Sequence, residues 1–158
     1  MKLIITDTRE KKNQHILDYF DSVGMKHASN KLDFGDYADW DRSTIVVERK
    51  QNIAEIAQNC TRGHDRFRRE LERAHAAGAH LVILIEQNRY KDRGEWIHVE
   101  DISDLMLWSG PHTKIRGEKV FRVLASWRAK YNIDIVFCDR RSTGKKILEI
   151  IYSETTQV

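Results

Sequence analysis

The stretch HLVILIE, residues 80 to 86, constrains the fold more than any other feature of the chain. Side chains on a strand alternate between its two faces, yet this run is apolar at every position from Leu81 to Ile85. Such a strand has to be covered on both sides, which predicts a central sheet strand with helices above and below it. Neighbouring segments supply those helices. Phe67, Leu71 and Ala74 precede the run at helical spacing, with Gly78 as a natural stop. Val120, Phe121, Leu124, Trp127 and Tyr131 follow it with the same period.

The other elements alternate in the same way. KLIIT, residues 2 to 6, predicts a short strand; Ile16, Leu17, Phe20 and Val23 predict a helix, with Asp7 or Thr8 near its start. After Gly24 comes a more polar extended segment. GDYADW, a DRS turn and TIVVERK then predict a hairpin with acids at its ends. Ile53, Ile56, Ala57 and Cys60 show helical spacing again, and near the C-terminal end IDIVFC reads as a strand before a helix carrying Ile147, Leu148 and Ile151. Between residues 87 and 117, RYKDRGEW and SGPHTKIRG are predicted as loops around a helical DISDLMLW. An antiparallel hairpin combined with strand-helix-strand crossovers gives an α/β fold: a mixed sheet flanked by helices.

With 158 residues, a single proline and no low-complexity stretch, the chain is expected to form one domain, residues 1–158. No apolar run approaches the roughly 20 residues of a membrane helix. The N-terminus lacks the apolar core of a secretory signal, so the expected location is intracellular. Cys60 and Cys138 lie far apart and form no C-x-x-C pair, which predicts two buried thiols.

A net charge of +3 permits nucleic-acid binding without requiring it. Its distribution is more informative. Arg49, Lys50, Arg62, Arg66, Arg68, Arg69 and Arg73 crowd one segment, interleaved with Glu48, Glu55, Asp65, Glu70 and Glu72. On a helix, Arg66, Arg69 and Arg73 share one line and Arg68 leaves it, so the stripe reads as a DNA-facing surface or as a solvated face. The seven histidines show no paired ligand spacing and exclude a conventional zinc motif. Trp96 and Trp108 lie near basic loops, where they either stack on unpaired bases or anchor the loops.

The most specific chemistry lies at the end of TIVVERK. Hydrolysing a phosphodiester with a metal needs hard oxygen ligands, an acidified water and positive charge near the phosphate. Asp36 and Glu48 on neighbouring hairpin strands can hold the ion. Glu48 and Lys50 are two residues apart and so share a face, Arg49 points the other way, and the Arg49 carbonyl is left as a third ligand. A surface Glu-Lys pair at a strand end would have the same spacing.

Read together, GDY at 35 to 37, VVERK at 46 to 50, TDTRE at 6 to 10, the Arg-rich helix and HLVILIE resemble the nuclease domain of XPF and Hef, structure-specific DNA endonucleases with a GD...ERK signature. The resemblance runs from residue 3 to about 152. It implies a restriction-endonuclease-like core that uses Mg²⁺ or Mn²⁺ to cut DNA near branches or single-strand/double-strand junctions. It also implies metal-binding acids at Asp36 and Glu48, a catalytic lysine at Lys50, the signature arginine at Arg49 and a further site acid at Asp7. Arg66 matches the basic residue that approaches DNA, with Glu70 one turn on as a supporting residue; Arg49, Arg66, Arg69 and Arg73 are therefore expected to contact DNA. Pairing of two chains through residues 118 to 131 and 142 to 152 is implied as well.

The chain departs from the family pattern in three places. Ala54 stands where the family has an acid, with Glu55 next to it either substituting or capping a helix. The hairpin between Asp36 and Glu48 is longer than usual, and no helix-hairpin-helix module follows within these residues. The principal alternative on the same fold is a non-catalytic DNA-binding or scaffolding subunit, but such subunits typically lose the acids that this chain keeps.

Overall fold

The computed structural model describes residues 1–42, 44–112 and 114–153. Its centre is β5, His80–Ile85, the strand that is apolar on both faces. β4, Ile45–Lys50, lies parallel to β5 on one side, and β8, Asp134–Phe137, lies parallel on the other. Beyond β4 come β3, Tyr37–Asp39, antiparallel to it, then β1, Ile4–Thr6, antiparallel to β3, and β2, His27–Ser29, parallel to β1. The sheet therefore has six strands in the order β2-β1-β3-β4-β5-β8, and it is mixed for the reason predicted: one hairpin set among crossovers.

Both faces of β5 are used. Leu81, Ile83 and Ile85 pack against α2, Ile53–Asn59, α3, His64–Ala76, and α4, Gly117–Tyr131. Leu84 packs on the opposite face with Val47 of β4, Ile16 and Phe20 of α1, Gln14–Ser22, and Ile147 of α5, Thr143–Tyr152. The same pleat divides β4. Val47 and Arg49 face α1 and α5, whereas Glu48 and Lys50 face α2 and α3. All of Val46 to Lys50 is buried, so the charged end of the strand lies within packed structure.

Residues 87 to 117 depart from the sequence reading. RYKDRGEW is not a loop but most of a hairpin of β6, Arg89–Asp92, and β7, Glu95–His98, closed by Arg93 and Gly94, both at positive φ. That backbone is the one two-residue hairpin turns require. The segment expected to be helical forms a 3-10 helix, Ile102–Leu107, opened by a reciprocal cap between Asp101 and Asp104. Its buried Ile102 and Leu105 are three apart, the spacing that lines up side chains on this tighter helix.

Both cysteines are free and buried, as expected. Trp108 belongs to the core and is not a base-stacking platform, whereas Trp96 is exposed beneath the cations of Arg89 and Lys91. No helix among the described residues is long and apolar enough to cross a membrane.

Candidate active site

Asp36 is placed by the residue before it. Gly35 has φ of 76°, and a Cβ there would stand 2.1 Å from Val46 Cγ1, so both conformation and space demand glycine. The chain turns there into β3, and the Asp36 amide donates to the Val47 carbonyl at 2.7 Å. The Arg49 amide in turn donates to Asp36 Oδ2 at 2.8 Å. These two bonds fix Asp36 across the ladder from Glu48.

On the α3 side of β4, Lys50 Nζ lies 3.0 Å from Glu48 Oε2 and 4.5 Å from the centre of the Phe67 ring. Burial opposes the charge on Lys50, but Glu48, assisted by Glu55 and Asp36, holds its pKa above the ordinary value. Glu70 of α3 completes the group. Burial and the neighbouring Glu48 raise its carboxyl pKa to about 8, and its buried Oε2 has no hydrogen-bond partner. Asp36 is also pushed well upward, first by burial and then by Glu48 and Glu10.

Three carboxyl groups thus converge on one ammonium. They meet through pairwise contacts; among the described residues no three His, Cys, Asp or Glu side chains are gathered into a ready metal cage. The donor set is nonetheless of the right kind for a hard divalent cation: carboxylate oxygens, one of them buried and orphaned, with burial opposing the ionisation of Asp36 and Glu70.

On the other side of β4 the Arg49 guanidinium is enclosed. It donates to Glu10 Oε2 at 2.7 Å, Glu10 Oε1 at 2.9 Å and the Lys11 carbonyl at 2.6 Å, and it also pairs with Glu86. Glu86 is further held by His15 and by the Thr143 hydroxyl, each at 2.6 Å. Burial would raise the Glu86 pKa, but Thr143, His15 and Arg49 together keep it below the usual carboxylate range. The expectation that the Arg49 side chain contacts DNA is therefore corrected: only 1% of that side chain is accessible, and all of its donors face inward. Glu10 lies ahead of α1, which starts behind Asn13; it pairs with Arg49 and accepts from the Tyr37 hydroxyl at 2.5 Å.

Asp7 is not a helix cap either. Its carboxylate accepts from the Leu32 amide at 2.8 Å and from Arg9 Nε at 2.9 Å, while its own amide donates to the Asp36 carbonyl at 2.8 Å. It ties a loop to the back of the Asp36 turn. Glu55 accepts from the Gln51 amide while its own amide donates to the side chain of Asn52, the N-cap of α2, so it belongs to that helix start. On α3, Arg66, Arg69 and Arg73 are exposed, whereas Arg68 is ion-paired with Glu72 at 2.6 Å. The division of that helix follows the predicted spacing.

A family model for the ERCC4 domain matches residues 6–150. The chain belongs to the ERCC4-domain family. Curated proteins give no match. Among solved structures, XPF from Aeropyrum pernix is similar at 18% identity and a TM-score of 0.69, covering 97% of this chain and 65% of that one. XPF from Aeropyrum pernix in complex with DNA is similar at 17% identity and a TM-score of 0.67, covering 99% of this chain and 66% of that one. This ERCC4 domain therefore spans about two thirds of the length of the XPF chains it matches, and it shares their nuclease fold.

Sequence reasoning gave Glu70 only a supporting part and passed over Arg9 and Glu86. In this ERCC4 domain Glu70 sits beside the buried stripe of Phe67, Leu71 and Ala74, which is the signal that turns it inward. Glu86 follows the doubly apolar β5 directly. The exposed Arg9 guanidinium feels the charges of Asp7, Glu70 and Asp36, which places it beside the acids.

Proposed function

We propose that this ERCC4 domain is a divalent-metal-dependent endodeoxyribonuclease that hydrolyses phosphodiester bonds in branched or junction-containing DNA. The observation that carries the reading is the convergence of Glu48, Glu70 and Asp36 on Lys50, with Glu70 Oε2 buried and unpartnered. Such a group is costly for a fold to maintain unless a cation or a phosphate uses it. Asp36 and Glu48 would hold Mg²⁺ or Mn²⁺, with the Arg49 carbonyl as a third donor and Glu70 adjacent. When bound, the ion would supply an acidified water and a Lewis acid for the phosphate oxygen.

The remaining work falls to the chain. Lys50, kept charged by Glu48 and fixed against Phe67, presents an ammonium to the scissile phosphate and stabilises the charge that develops there. Glu70 retains a proton near neutral pH and releases it when positive charge is seated beside it. The exposed Arg66, Arg69 and Arg73 on α3, with Arg9 at the rim, offer phosphate contacts on either side of the acids. Arg49 positions: it holds the strand end from behind, and its amide orients Asp36.

A chain pair belongs to the same proposal. The main apolar stripes of α4 and α5 are consumed in covering the sheet, so pairing would draw on the half-buried Leu148, Ile150 and Ile151. Light scattering at micromolar concentration reads it, and a monomer throughout that range removes it.

The deciding experiment is a metal-titrated cleavage assay on flap, fork, splayed, single-stranded and duplex DNA, with Glu48→Gln alongside. The expected result is metal-dependent cutting by the wild type and loss of at least about 100-fold in the variant, a magnitude typical of losing transition-state electrostatics. DNA binding in EDTA is expected to persist. Equal cutting by both proteins would remove the assigned site. Salt-sensitive binding without turnover in any divalent metal would replace the nuclease with a non-catalytic DNA-binding subunit.

A further inference from the structure

A second basic feature lies beyond the acids, where the turn between α2 and α3 faces the start of α4. A cleft of about 780 Å³ opens there, lined by Arg62, Lys114, Arg116, Lys119 and Arg122, with Glu118 as its one acid. All five cations are exposed, and among the described residues none of them makes an ion pair. Arg116, Lys119 and Arg122 recur every third residue along the start of α4, which sets their charges in a row facing Arg62.

The row is rigidly held. The Gly117 amide donates to the Trp108 carbonyl at 2.7 Å, and a Cβ on Gly117 would fall 1.7 Å from the Leu105 carbonyl oxygen. Only glycine lets α4 start this close to the 3-10 helix. The cleft also lies near the candidate active site: Cys60, buried at the end of α2, feels the charges of both Lys50 and Lys119.

We propose that this cleft carries the sugar-phosphate backbone of a single-stranded arm of the DNA, leading it away from the bond at Glu48 and Lys50. Concentrated unpaired cations with little opposing acid are an electrostatic track for phosphates. A single strand is favoured because its flexible backbone can bend into a recess of about 780 Å³ and follow the cations that line it, as in grooves that track single strands. The inference rests on the proposed function only for the choice of DNA as ligand, and it is tested without cleavage.

The test compares the triple variant Arg62→Ala, Lys119→Ala, Arg122→Ala with a control of equal charge change, Lys26→Ala, Lys130→Ala, Lys145→Ala. Fluorescence anisotropy in EDTA reads binding to an oligothymidylate and to a blunt duplex across a salt series, with thermal melts alongside. The cleft variant is expected to bind the single strand about tenfold more weakly, and its log-log salt slope should fall by about 2, the value for three lost contacts on a single strand. Duplex binding and the control variant should move much less. If the triple variant melts early, the single substitution Lys119→Glu at an exposed helical position is read in its place. Equal losses in cleft and control variants would overturn the cleft as a site, and equal losses on single strand and duplex would overturn the single-strand assignment. Either result leaves the Glu48→Gln test of the nuclease reading untouched.

Discussion

The two sides of the charged end of β4 use similar residues to opposite ends. On the α1 and α5 side, Arg49 meets Glu10 and Glu86, and His15, Thr143 and Tyr37 complete their hydrogen bonding. Glu86 there is held below the usual carboxylate range. On the α3 side, Lys50 has acids in excess: Asp36 and Glu70 are both pushed upward, and Glu70 Oε2 has no partner. One side is a finished structure; the other is unfinished without an outside ligand. A buried charge network alone does not mark a site. The lack of compensation does.

The sharpest way to break this contrast is to remove Arg49. Arg49→Ala leaves Glu10 and Glu86 facing each other in a buried place, and losing one partner of such a network costs about 3–5 kcal/mol. For a chain of this size each kcal/mol lowers the melting temperature by about 2–4 °C, so a drop of about 10 °C is expected in a thermal melt. Loss of DNA binding with an unchanged melt would instead return Arg49 to the DNA-contacting role and dissolve the contrast.

Glu70→Gln is expected to act in the opposite direction, by relieving the unfinished side. Glu70 titrates at about 8 in the fold, against an ordinary value near 4.5. Between those values the folded state holds a proton that the unfolded chain has released, so rising pH costs stability across this window. Below about pH 4.5 the carboxyl is neutral in both states, and variant and wild type should melt alike. By pH 8 the variant should be more stable by about 1–3 kcal/mol in the absence of metal. Millimolar Mg²⁺ or Mn²⁺ should narrow the gap by stabilising the wild type more. A gap that is constant from pH 4 to 8 would mean that Glu70 feels no excess of negative charge.

What could be read from the chain in advance follows from the range of the signals. The doubly apolar β5 and the Glu48-Lys50 alternation are local: a period of two settles both within seven residues. The division of Arg66, Arg69 and Arg73 from Arg68 is likewise a matter of helical angle. Glu70 and Glu86 are different. Their meaning depends on α3 lying over one face of β4 and α1 over the other, and spacing along the chain does not carry that information. The β6-β7 hairpin escaped because its strands, RYKD and EWIH, bury little besides Tyr90 and so show almost no alternation. Arg49 was misassigned because the alternation turns it away from Glu48 and Lys50 but does not say that Glu10 and Glu86 wait on that other face.

Asp7 gives the finest test, because it touches the Asp36 turn through the backbone while its carboxylate faces elsewhere. Asp7→Asn keeps an acceptor for the Leu32 amide but loses the charge that holds Arg9. Burial works to raise the Asp7 pKa, yet Arg9 and the Leu32 and Arg9 amides bring it below its ordinary value. A depressed carboxylate stabilises the fold above its unfolded pKa and loses that contribution as pH falls through the folded value. Asp7→Asn should therefore cost about 1 kcal/mol at pH 7, the usual scale for a charge-assisted hydrogen bond with an exposed partner, and that cost should shrink as pH falls below the ordinary Asp range. If Asp7 is only a loop anchor, cleavage should fall by less than about tenfold and recover as temperature is lowered. A loss matching that of Glu48→Gln, with an unchanged melt, would instead place Asp7 among the catalytic acids and extend the unfinished side of β4 across the sheet to the end of β1.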